Sequence, residues 1–299
     1  MSIQKKLRTG VERQNARETF ANGISSNIKK GVLYVGGLGS AIENGEYSFG
    51  DGMFHLRNIL QPPTIFEVAS VANHLKADYL SVSRYSAYLK FEIALLPDDF
   101  RDDPNLALDA AFHLSCLLKL IKAHNLFCPA GSSVSWDLVS VAQKNSVDFM
   151  LLDDFPRRIE FVNSDVPMLD SNDLKWAESY FENGRVLRNK ESSGRFGLAF
   201  NLYYSWNHTQ DMRIALSNLW IGLEALFGKK KDRPVKRMLV ERICDWLPSE
   251  DARSIGDLYE KRCDAVHGRK MNGQEMGKIL MRTHDIFRAS LMCTVTVLT

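Results

Sequence analysis

The feature that constrains this chain most is a change of texture near Asp170. Beyond it, apolar residues recur three and four apart, the spacing of one face of an α-helix, and the breaks between such stretches are only a few residues long. Residues 171–187 set Trp176, Tyr180 and Phe181 on one side, residues 189–194 read as a polar turn, and residues 195–206 form the next helix. The strongest pattern covers residues 211–227. Asp211 stands at its start, Ile214, Leu219, Leu223 and Leu226 run along one face, and Gly228 follows the last apolar residue. Residues 234–247 begin with Pro234 and stop before Pro248. Residues 249–267 offer Ser249 as N-cap, Glu250 and Asp251 in the first turn, and Gly268 just past the end. A last helix is expected over 272–298. Five or six helices with short connections imply an antiparallel bundle.

The first half reads differently. Residues 31–35, 65–71, 79–95, 134–142, 147–152 and 157–162 are rich in β-branched and aromatic residues. Turn residues such as Gln61-Pro62-Pro63 and Pro129-Ala130-Gly131 bound them, so they are expected as strands. One helix interrupts them over 105–124, with Leu106, Ala110, Leu114, Leu117, Leu118 and Ile121 at helical spacing and Asp102, Asp103 and Pro104 at its start. The expected fold class is α+β: a mixed domain over residues 1–168, followed by an all-α bundle over 169–299.

An apolar fraction of 45% and a charged fraction of 25% are globular composition and exclude a disordered or collagen-like chain. Five scattered cysteines without a CxxC pair predict reduced thiols in a cytosol, not a disulfide framework or a zinc ribbon. The basic N-terminus lacks the apolar run of a secretory signal, and no segment reaches the roughly 18 apolar residues of a membrane span, so a soluble, cytoplasmic protein is expected. Charge is uneven. Residues 1–200 carry 22 Lys and Arg against 24 Asp and Glu, whereas residues 201–299 carry 16 against 12. Much of the basic excess lies in residues 229–237 (KKKDRPVKR), a local charge that suits a polyanion; a solvated loop between helices is the plainer alternative.

Gly36-Gly37-Leu38-Gly39 follows an apparent strand and invites a dinucleotide-binding reading. Ile42 stands where that motif needs its third glycine, and Asn44-Gly45 breaks any following helix, so a hairpin or loose turn is expected and nucleotide binding is the weaker alternative. No GxxxxGK[ST], HExxH or GxSxG motif occurs.

The segment that stands out is Tyr259-Glu260-Lys261-Arg262-Cys263-Asp264-Ala265-Val266-His267-Gly268. Five positions are about 500° of helix, so Arg262 and His267 point about 140° apart on a straight helix. They converge only if the last turn unwinds at Gly268 or if two copies meet across a two-fold axis. Asp264, three residues before His267, is its neighbour on the helix surface and a candidate to orient the imidazole. A guanidinium to steady developing charge and an imidazole to move a proton are what cleavage of a phosphodiester requires. The bland alternative is a helix-capping His267 with a surface Arg262 paired to Glu260 or Asp264. A Cys263–His267 dyad is a third possibility, and a metal site from Cys263, Asp264 and His267 lacks a fourth ligand.

Two blocks of this chain together resemble the HEPN superfamily, within it the Apea-like branch. The first is Asp211-Met212-Arg213 through Leu223-Glu224-Ala225-Leu226-Phe227-Gly228, similar to that branch's long helix with its LEALF ending. The second is Leu258-Tyr259 through Arg262 to His267-Gly268, similar to the R-x(4–6)-H signature followed by Gly; residues 235–247, with Arg242, match the intervening helix. The resemblance covers roughly residues 195–299. It implies an all-α bundle that forms a homodimer, with both motifs meeting in a composite cleft, and a metal-independent endoribonuclease needing no cofactor, often a toxin with a cognate antitoxin or an antiphage effector. Carried over by position, Arg262 and His267 are the catalytic pair, and Glu224 is the acidic residue facing the cleft. Cys263 follows Arg262 where the family commonly has Asn, Asp or His, which leaves Asp264 as the candidate for that polar role. Lys229, Lys230, Lys231, Arg233, Lys236, Arg237, Arg269 and Lys270 are then candidates to track an RNA backbone. Some HEPN domains have lost catalysis and bind nucleic acid or a protein partner, which is the alternative function. Residues 1–168 resemble nothing that assigns them a role; a sensor or a substrate-selecting domain fits a fused nuclease.

Overall fold

The computed structural model describes residues 33–49, 53–73, 79–95, 104–122, 125–152, 166–190, 194–228 and 235–298. The chain is mixed α+β, with a mostly antiparallel β-structure in the first half and helices dominating the second. It divides into two compact units. One comprises Met1–Ser115, Lys122–Asp154 and Ser164–Lys175, and the other Cys116–Ile121, Phe155–Asn163 and Trp176–Thr299. The strand expected over 157–162 lies outside the described residues.

The first unit is built on six antiparallel strands. Strands β1 (Leu33–Leu38), β3 (Glu46–Phe49), β4 (Phe54–Asn58), β5 (Phe91–Leu95), β6 (Phe127–Ser132) and β7 (Phe149–Leu151) stand in the order β3-β4-β5-β1-β6-β7. Two short strands, β2 (Ala41–Ile42) and β8 (Met168–Leu169), pair in parallel beside it. Register places Leu33 opposite Leu95, Val35 opposite Ile93 and Gly37 opposite Phe91, so one sheet face is apolar through the strands' period of two. Over the other face, Ile59, Val68, Val71, Val82, Trp136 and Val139 belong to one buried cluster.

Two expected strands are not strands, and a third is one only over its last residues. Residues 65–71 form helix α1 (Ile65–Val71). Its β-branched composition is outweighed by a capping box: the Thr64 hydroxyl accepts from the Glu67 N–H, and the Glu67 carboxylate accepts from the Thr64 N–H at 2.7 Å. Residues 79–95 split into helix α2 (Tyr79–Ser86) and β5. In α2 the hydroxyls of Ser83 and Ser86 bond back to the carbonyls of Leu80 and Ser83, so these buried polar groups are satisfied within the helix. Residues 136–141 form a 3₁₀ helix, pinned where Asp137 accepts the backbone N–H groups of Leu60 and Gln61, both at 2.8 Å.

Gly36 and Gly37 lie within β1 between β5 and β6, not in a hairpin or a phosphate loop. A Cβ at Gly37 would stand 2.2 Å from the Phe91 ring, and one at Gly36 would stand 2.8 Å from Trp136 Nε1. The glycines make room for aromatic rings packed on the sheet. Glu92, fully buried opposite Gly36, is met by Arg57 Nε, by the Ser135 hydroxyl at 3.1 Å and by the Trp136 N–H at 2.8 Å. A buried carboxylate is tolerable only with such partners.

The second unit is helical. Helix α3 (Pro104–Ile121) gives it residues 116–121, and α4 (Ser171–Lys190) gives it the residues from Trp176 on; α5 (Arg195–Ser205), α6 (Met212–Phe227), α7 (Val235–Trp246), α8 (Ala252–Val266) and α9 (Gly273–Leu298) follow. The last carbonyls of α3 are satisfied by cations: Arg288 donates to the carbonyls of Leu120 and Ile121. Buried Lys119 donates to the Tyr204 carbonyl at 2.7 Å and to Asn207 Oδ1 at 3.0 Å. The core face of α6 is Ala215, Leu216, Leu219, Trp220, Gly222, Leu223 and Phe227. Ile214, expected in that face, is 52% exposed. Asp211 caps α6 as expected, accepting from the Arg213 N–H at 2.8 Å. The cap of α8 is Asp251, not Ser249, because its carboxylate reaches the Ser254 N–H at 2.8 Å. Among the described residues no helix is long and apolar enough to cross a membrane.

Candidate functional site

Helix α8 ends in a tight, fully bonded turn. The Gly268 N–H bonds to the Ala265 carbonyl at 3.2 Å, and the Arg269 N–H bonds to the Asp264 carbonyl at 3.0 Å. This is the six-to-one, five-to-two pattern of a Schellman motif, and it requires the left-handed φ of +78° that Gly268 adopts. An ion pair between Arg269 Nη1 and Asp264 Oδ1 at 2.6 Å ties the same two residues through their side chains.

The helix therefore stays wound through Val266, and the turn at Gly268 comes too late to bend His267 toward Arg262. Within one chain the two side chains leave the helix about 140° apart. His267 is exposed; its N–H bonds to the Cys263 carbonyl at 2.9 Å, and among the described residues its imidazole has no hydrogen bond or ion pair. Asp264, the expected orienter of that imidazole, is instead engaged by Arg269.

Arg262 points toward α6. Its Nη2 lies 3.5 Å from Glu224 Oε1, and its guanidinium carbon sits 5.6 Å from the centroid of the Tyr259 ring. Tyr259 meets the buried Trp220 edge to face, with ring centroids 5.3 Å apart. Arg262 Nε is enclosed and makes no hydrogen bond. Burial raises the Tyr259 phenol pKa above its ordinary value, against the opposing pull of the Arg262 charge. The sequence brought Glu224 into the site only through family resemblance, and the structure sets it against Arg262. Tyr259 was missed as a partner, although its position three residues before Arg262 is the helical spacing that lets the two stack.

The basic candidates are less available than their number suggests. Lys229, Lys230, Lys231 and Arg233 lie outside the described residues. Lys236 pairs with Glu260 at 2.7 Å, Arg237 with Glu241 at 2.8 Å and Arg269 with Asp264, while Lys270 is exposed without a partner among the described residues. Arg242 is structural in its observed contact, donating to the Phe227 carbonyl at the end of α6. Cys263 is half-buried in α8. Among the described residues no group of three or more His, Cys, Asp or Glu side chains is placed to hold a metal ion.

An open depression of about 440 Å³ lies where α6 and α9 begin, lined in part by Met212, Arg213, Met271 and Met276. No family model, no curated protein and no solved structure matches this chain.

Proposed function

We propose that the helical half is a HEPN-type endoribonuclease working as a homodimer, a toxin or antiphage effector that cleaves RNA without a metal. The observation that carries this reading is the state of Arg262. It is a largely enclosed guanidinium with an unsatisfied Nε, held by charge and by an aromatic face, five residues before an exposed imidazole. A buried donor without a partner calls for an explanation, and a functional role for its guanidinium is one. In the proposed reaction the substrate 2′-oxygen attacks the adjacent phosphorus, the bond to the 5′-oxygen breaks, and a 2′,3′-cyclic phosphate forms. His267 takes the 2′-hydroxyl proton or delivers one to the leaving 5′-oxygen, and Arg262 steadies the charge on phosphorus. Because the two side chains diverge within one chain, each reaction centre takes its Arg262 and His267 from different subunits.

The test is cleavage of structured RNA by purified full chain in EDTA. Arg262→Ala and His267→Ala should each abolish cutting while staying folded, and mixing the two inactive variants should restore part of it. Folded variants that still cut, or products ending in a free 3′-hydroxyl, refute the proposal. The pairing of Asp264 with Arg269 instead of His267 favours a second reading, a non-catalytic RNA-binding or protein-binding module. It predicts RNA binding without cleavage and indifference to His267→Ala.

A further inference from the structure

Two contacts hold the cation of the proposed site, and they differ in kind. The 3.5 Å separation between Arg262 Nη2 and Glu224 is longer than an ordinary N–H···O bond, so the carboxylate supplies charge more than direction. Direction comes from the other side. At 5.6 Å from its ring centroid, the guanidinium lies within cation–π range of Tyr259. Tyr259 is itself braced, because its partner Trp220 is 1% exposed and belongs to the core face of α6. The chain of contacts runs from a fixed indole through a half-buried phenol to a guanidinium whose Nε is enclosed and whose Nη2 faces a carboxylate.

We propose that Tyr259 is a positioning residue for an anion bound by Arg262: its ring, braced on Trp220, sets the plane of the guanidinium, and a backbone phosphate takes the place that Glu224 occupies in the free subunit. This rests on the reading of Arg262 as the phosphate-binding group. Glu224 Oε1, 3.5 Å from Nη2, already marks where an anionic oxygen sits beside that guanidinium. The ring acts, not the hydroxyl, which makes no hydrogen bond among the described residues. A guanidinium loose about its long side chain would spend most of its time out of register with a phosphate, and the aromatic face removes that freedom before RNA arrives.

The experiment measures binding of a fluorescent 2′-O-methyl RNA oligonucleotide, which cannot be cleaved, to the full chain at fixed salt. Arg262→Ala sets the baseline. Tyr259→Phe should bind within about twofold of wild type, whereas Tyr259→Leu should weaken binding about five- to tenfold. Tyr259→Met, which fills the volume without a π face, serves if the leucine variant does not fold, and thermal unfolding reports any general loss of stability. In the Arg262→Ala background, Tyr259→Leu should add no further loss, because it acts through the arginine. Wild-type binding by Arg262→Ala sinks the phosphate reading itself and the positioning role with it. Loss with Arg262→Ala but not with Tyr259→Leu or Tyr259→Met overturns the positioning role alone. So does equal loss in Tyr259→Phe, or a loss that adds fully to that of Arg262→Ala.

Discussion

A single methyl group at Gly222 tests how the helical unit is packed. Gly222 faces Phe287 of α9 so closely that a Cβ would stand 2.1 Å from the ring's Cζ and 2.4 Å from its Cε1. Ordinary contact begins at 3.4 Å, so the ring must retreat by about 1.3 Å. It has nowhere to go. Phe287 is fully buried, and Tyr203 lies edge-on to it at 5.6 Å. Tyr203 in turn is held by the Lys119 carbonyl at 3.3 Å and by His284 Nε2 at 3.2 Å. Overpacking of this kind costs about 1–3 kcal/mol, against a gain of about 1 kcal/mol for alanine over glycine in a helix. We expect Gly222→Ala to destabilise by up to about 2 kcal/mol, a Tm lower by up to roughly 8 °C followed by circular dichroism. Gly277→Ala in α9, where a Cβ meets nothing within 4 Å, should instead raise Tm slightly. Phe287→Leu should couple with Gly222→Ala by at least about 0.5 kcal/mol, since the smaller side chain vacates the clash. If Gly222→Ala raised Tm as Gly277→Ala does, the close approach of α6 and α9 would be wrong.

Gly37→Ala should lower Tm through its collision with the Phe91 ring; a variant with unchanged Tm that lost ATP or NAD binding would restore the phosphate-loop reading. Glu92→Gln should cost about 2–4 kcal/mol in urea unfolding, because the amide presents a donor where Arg57, Ser135 and the Trp136 N–H all need an acceptor; a loss under about 0.5 kcal/mol would show the network to be dispensable. Burial, with Lys119 and Arg288 acting in the same direction and Asp285 against them, holds the His284 pKa below its ordinary value. The unfolded chain then binds more protons than the folded one below about pH 6.5, so stability falls as pH drops through that range. The Tm difference between pH 7.5 and 5.5 should shrink in His284→Gln, and an unchanged difference would show that His284 titrates normally.

Legibility of the fold followed the range of the interactions responsible. Asp211 and Gly228 bound α6 and Gly268 closes α8 through bonds that span one turn, and a sequence displays them directly. Thr64 and Glu67 displayed their capping box just as openly, yet β-branched composition over residues 65–71 pointed to a strand, and the local hydrogen bonds prevailed. Gly36 and Gly37 were ambiguous for another reason. Their meaning depends on Trp136 and Phe91, residues that only the folded sheet brings against them. The candidate site divides in the same way. The turn of α8 and the stacking of Tyr259 with Arg262 are local, whereas the approach of Glu224 to Arg262 joins two helices and leaves no trace in spacing.

Charge decides how such a site must work. In the described part, Lys236, Arg237 and Arg269 are each neutralised by a carboxylate, and Arg262 faces Glu224. Such exposed cations attract a polyanion somewhat less than free ones, because each phosphate contact first breaks an ion pair worth up to about 1 kcal/mol. If the proposed homodimer brought two bare Arg262 guanidinium charges within about 6 Å of each other, they would repel by roughly 3 kcal/mol at an effective dielectric of 20. Glu224, 3.5 Å from Arg262 Nη2, would offset that repulsion in the absence of RNA. In the proposed exchange an incoming phosphate would do the same and add directed hydrogen bonds, so the net charge around Arg262 would stay nearly unchanged. On that proposal, affinity would come from the geometry of the guanidinium more than from the paired lysine and arginine of the described residues. For that reason Lys236→Ala or Arg237→Ala should alter RNA binding far less than Arg262→Lys, which keeps the charge and discards the planar fork. The reverse order in a binding titration would return the weight to the basic surface and remove it from Arg262.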